Sequence, residues 1–66
     1  MTISRAQEIW AMALWVDREH GEYAERFIFE RVLHFEAKGE KGGEELWMQV
    51  ARRYAEVRDV LTMEPN

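Results

Sequence analysis

Proline is absent from the chain until Pro65, and the other strong helix breakers are four glycines, Gly21, Gly39, Gly42 and Gly43. Between those breaks the apolar residues recur with a helical period, and no run of alternating β-branched residues offers a strand. The spacing predicts an all-α chain with helices over about 5–20, 22–38 and 41–61 and a frayed tail over 62–66. Ser4 is placed to cap the first helix, with Gln7 three residues on completing a capping box. Gly21 and Gly39 are placed to end the first two helices in the left-handed conformation that glycine adopts without strain.

Each segment carries an apolar stripe. On the first it is Ala6, Ile9, Trp10, Ala13, Val16 and His20; on the second, Ala24, Phe27, Ile28, Val32 and Phe35; on the third, Trp47, Val50, Ala51, Tyr54, Val57 and Leu61. Three stripes can close one core, and short connections make sequential neighbours antiparallel. The expectation is therefore a single domain over 1–66, a compact up-down-up three-helix bundle.

At 66 residues the margin of stability is narrow. With no cysteine there is no disulfide to widen it, so packing and self-association must serve. Three Trp, three Phe, two Tyr and four Met supply the apolar area. A net charge of -4 disfavours a polyphosphate partner, whose binding depends on Lys and Arg neutralising phosphates. The run Ile9 to Val16 is far short of the roughly 20 residues that span a membrane, and no signal peptide or anchor is expected. A cytoplasmic location follows as the expectation, in keeping with the lack of cysteine.

The first two helices hold more large apolar residues than their stripes use: Met12 and Trp15 on the first, Phe29 and Leu33 on the second. A contiguous apolar patch usually marks a contact site, so these four predict an interaction surface and, in particular, a homodimer. The alternative is isolated exposure, with Trp15 stacked on Arg18. Asp17 and Arg31 fall at the edges of the first two stripes, where an unpaired charge is costly, and are expected to pair and hold the register between those helices.

No catalytic residue, cofactor or metal site is expected. His20 reads as a partly buried residue at a helix end, where an imidazolium interacts favourably with the helix dipole. His34 follows Glu30 by four residues, which could chelate a metal only with further ligands. Ser4 is used as a cap, and no histidine is set beside a serine or threonine, so a nucleophile with its base is missing. An enzyme with a small-molecule substrate is not expected. A helix-turn-helix nucleic-acid binder is the rival reading, since a Gly-containing turn joins the second and third helices and Arg52 and Arg53 lie outside the stripe. Glu44, Glu45, Glu56 and Asp59 on that helix break up any basic stripe.

Three segments, Glu8-Ile9-Trp10-Ala11-Met12-Ala13-Leu14, Phe27-Ile28-Phe29-Glu30-Arg31-Val32 and Trp47-Met48-Gln49-Val50-Ala51-Arg52-Arg53, together resemble a family of short uncharacterised alphaproteobacterial proteins, a domain of unknown function. The chain departs from that pattern in pairing Gly42 with Gly43 and in carrying the bulky Phe29. The resemblance implies a bacterial cytoplasmic accessory protein, with no activity, cofactor or catalytic residue to carry over.

Overall fold

The computed structural model describes residues 2–62, the side chains of residues 61 and 62 excepted. These residues are all helical in architecture: α1 spans Arg5–His20, a 3-10 turn spans Gly21–Tyr23, α2 spans Ala24–Lys38 and α3 spans Lys41–Thr62. The expected tail beyond residue 62 and the place of Leu61 on the third stripe lie outside the described residues.

The helix ends follow from local chemistry. The Gln7 N–H donates to Ser4 Oγ at 3.1 Å and the Ser4 N–H donates to Gln7 Oε1 at 2.9 Å, so the capping box satisfies two donors at once. At the end of α2, Gly39 sits at φ 71° and ψ 19°, its N–H donates to the Glu36 carbonyl, and the Glu40 N–H donates to the Phe35 carbonyl at 3.0 Å. That is a Schellman end, and it needs the left-handed glycine.

The first boundary differs from the expectation. Gly21 has φ 53° but ψ -123°, outside the left-handed helical well, and the chain passes directly into the 3-10 turn. Helical backbone thus forms two unbroken stretches, 5–38 and 41–62, rather than three separately ended helices.

The core is Ile9, Ala13 and Val16 of α1, Ala24 and Ile28 of α2, and Trp47, Val50, Tyr54 and Val57 of α3. α3 is the hub: both other helices pack on it and meet each other far less. Phe35 lies against Gly43, the Arg31 guanidinium lies 5.6 Å from the Trp47 ring centre, and the Glu25 charge acts on Arg58, so α2 and α3 run antiparallel. On α1, Trp10 meets Arg53 while Asp17 meets Tyr54. Arg5, Ala6 and Ile9 face Gln49 to Glu56, and Asp17 reaches Tyr54, so the contacts of α1 fall on α3 along its length. A 3-10 turn with no loop residues joins α1 to α2, in place of the separate short connection that was expected.

Asp17 and Arg31, expected to pair, do not meet. Asp17 Oδ1 accepts from the Tyr54 hydroxyl at 3.3 Å, and the Tyr54 oxygen in turn accepts from Arg58 Nη1 at 3.1 Å. Arg31 instead lays its guanidinium over Phe35, 5.3 Å from the ring centre, and over Trp47, with its Nε buried and without a hydrogen-bond partner. The expected pair is replaced by an α1 to α3 relay because α1 faces α3 there, not α2.

Candidate interaction surface

Besides Ile3, Trp10, Leu14, Tyr23 and Val60, the large apolar side chains left exposed are Trp15 on α1 and Phe29, Leu33 and Met48 on α2 and α3. Trp15 remains 45% exposed and stands edge-on to His20 and Phe27, with ring centres 5.9 and 6.2 Å away. His20 stacks on Phe27 at 4.0 Å, and Phe27 stands edge-on to Trp47. This aromatic string covers the junction where α1 turns into α2, and it accounts for the half-buried position of His20.

Phe29 belongs elsewhere. At 100° per residue, Phe27 and Phe29 lie about 200° apart around α2, so Phe29 projects from the opposite flank. There it is 62% exposed and lines a groove of about 400 Å³ between α2 and α3. The groove floor is Ile28 and Val32 from α2 with Ala51 from α3, half-exposed Met48 stands on its α3 rim, and Glu25 and Arg52 stand on its two walls. Leu33, one turn after Phe29, is also exposed. Met12, by contrast, packs against the core and is corrected from surface to interior support.

The four residues expected to form one surface are therefore not together: Phe29 and Leu33 share a flank of α2, Trp15 is on the other side, and Met12 is largely covered. Met48, half-exposed, is the groove residue that sequence reasoning missed. Its signal was the i,i+3 step to Ala51, masked by the stronger stripe through Trp47.

A second cleft, about 440 Å³, lies between the start of α1 and α3 and is lined by Arg5, Ala6, Ile9, Gln49, Arg52, Arg53 and Glu56. Its charge is partly neutralised internally, since Arg53 Nη1 pairs with Glu56 at 2.6 Å and the Arg53 guanidinium also lies 5.7 Å from the Trp10 ring centre. Glu30 pairs with Arg26 at 3.4 Å, and His34 stands edge-on to Phe35. No group of three or more His, Cys, Asp or Glu able to hold a metal occurs among the described residues. Arg58 has its pKa raised, first by the Tyr54 hydrogen bond and charge, then by the carboxylates of Glu25 and Asp17, against a lowering by desolvation. No helix among the described residues is long and apolar enough to cross a membrane.

The model of a family of unknown function, DUF6961, matches residues 5–60, which take in α1, the 3-10 turn, α2 and most of α3. No curated protein and no solved structure matches the chain.

Proposed function

We propose that this chain, which belongs to DUF6961, a family of unknown function, is a protein–protein interaction module of three α-helices and not an enzyme. The observation that carries this reading is Phe29, 62% exposed beside the apolar floor of Ile28, Val32 and Ala51, with Met48 46% exposed on the opposite rim. A large aromatic and a methionine left in water around an apolar groove are what a helical protein presents when another protein surface covers it. In this reading the contact residues are Phe29, Leu33 and Met48, with Trp15 on the other flank a separate contact. The module works in the cytoplasm, on another protein or on a second copy of itself, and takes no cofactor.

A photoreactive phenylalanine analogue placed at position 29 tests it in cells that make the protein, with the same analogue at Lys41 as a control on the exposed start of α3. Protein adducts that form from position 29 and not from position 41 support the reading. Equal, nonspecific labelling from both positions would remove it.

A further inference from the structure

We infer that the groove between α2 and α3 is covered by the same groove of a second copy, through a two-fold axis parallel to the groove. α2 of each copy then lies over α3 of the other in a four-helix bundle, with Glu25 of each beside Arg52 of the other. This rests on the interaction reading above and names the occupant of that site.

Three observations lead to a second copy. The first is the apolar surface left uncovered: Phe29 is 62%, Leu33 46% and Met48 46% exposed around one apolar groove of about 400 Å³ between α2 and α3.

The second is self-complementarity. A two-fold interface uses one patch on both partners, so that patch must hold both what projects and what receives it. Phe29 and Met48 project from the rims of the same groove whose floor is Ile28, Val32 and Ala51. An axis parallel to the groove exchanges its walls, bringing α2 of one copy against α3 of the other. Each Phe29 then meets the other copy's Met48 side of the groove.

The third is charge. Glu25 is on the α2 wall and Arg52 on the α3 wall. Both are exposed, and Arg52 has no ion-pair partner among the described residues. Exchange of walls sets each Glu25 against an opposite charge, twice per dimer by symmetry. A groove meant for an unrelated acidic or basic segment would not need one charge of each sign on its two walls.

Sedimentation equilibrium on the full chain from low to high micromolar, with light scattering after size exclusion, tests the assignment. The wild type is expected to reach a mass of twice 7.9 kDa. Arg52→Glu and Glu25→Arg should each weaken the dimer about tenfold, since like charges then face each other across the axis. The double variant Glu25→Arg with Arg52→Glu should recover most of that loss. Circular dichroism on each variant checks that the helices are intact, as expected for two exposed positions.

A wild type that stays at 7.9 kDa in the high micromolar range overturns the inference. So does a dimer that ignores both reversals, or one that the double variant fails to restore. The two readings fail separately: a monomer whose position 29 still labels a different protein loses the second copy and keeps the interaction module. A monomer with no selective adduct loses both.

Discussion

Gly43 lies in the first turn of α3, and a Cβ built there would stand 2.4 to 2.7 Å from the Phe35 ring. Gly42, its neighbour, would place a Cβ in open space. The two glycines therefore have opposite roles. Gly43→Ala should force Phe35 off its seat and lower stability by about 1–3 kcal/mol, whereas Gly42→Ala should raise it by roughly 0.5 kcal/mol by removing a flexible residue from a helix. Thermal melts read both, at about 4–8 °C per kcal/mol for a domain of this size. Equal shifts of one sign for the two variants would refute the close approach. A similar contrast probes the relay from Arg58 through Tyr54 to Asp17. Tyr54→Phe should lower stability by about 1 kcal/mol through the lost hydroxyl, while Arg31→Met should be near neutral or stabilising, because it keeps an apolar stem over Phe35 and Trp47 and removes an unbonded buried Nε. Marked destabilisation by Arg31→Met would restore Arg31 to a polar role that the relay does not give it. None of this was legible in the sequence, where Gly42 and Gly43 look alike and Asp17 and Arg31 sit at matching stripe edges; which partner each meets depends on how the helices pack.

At the scale of the elements, what the sequence states most clearly is chemistry confined to a few consecutive residues. Ser4 with Gln7 and Gly39 after Lys38 are such cases, because caps are made by backbone groups three to five positions away. Ser4→Ala should lower stability by about 1 kcal/mol, and Gly39→Ala by a similar ~1 kcal/mol, since φ 71° strains any residue with a Cβ. Chemical denaturation checks both; a Gly39→Ala variant as stable as the wild type would contradict the left-handed end. Gly21 shows where local reading stops. A glycine predicts freedom in φ, which it has at 53°, but not the ψ of -123° that leads into a 3-10 turn. The stripe on α1 shows the same limit. Ile9, Ala13 and Val16 are buried as expected, while Ala6 is exposed and Trp10 remains 42% exposed. A stripe tells which side of a helix turns inward. It does not tell how far along the helix its neighbours reach, and here burial on α1 runs from Ile9 to Val16.

For the whole molecule, the sequence correctly signalled more apolar side chains than three helices cover, as Trp15, Phe29 and Leu33 left outside the core attest. It could not say which of them share a face, because the rotation of each helix about its own axis decides that Met12 of α1 is packed against the core while Met48 of α3 is left half-exposed. If the groove is covered by a second copy, folding and association are linked, and the melting temperature must rise with protein concentration. Phe29→Ser then separates the two contributions. Phe29 is 62% exposed in the subunit, so its loss should leave the melt unchanged in dilute solution and lower it only at concentrations where the dimer forms. Trp47→Ala is the counterpart: Trp47 is 9% exposed and touches Phe27 and Arg31, so its truncation should remove about 3–5 kcal/mol at every concentration. That is most of the stability available to a chain this short, at roughly 0.05–0.15 kcal/mol per residue. Differential scanning calorimetry over a hundredfold range of concentration distinguishes the cases. A wild-type melt that does not move over that range would mean that no second copy covers the groove, and a Phe29→Ser variant destabilised equally at both ends of it would mean that Phe29 stabilises the subunit itself.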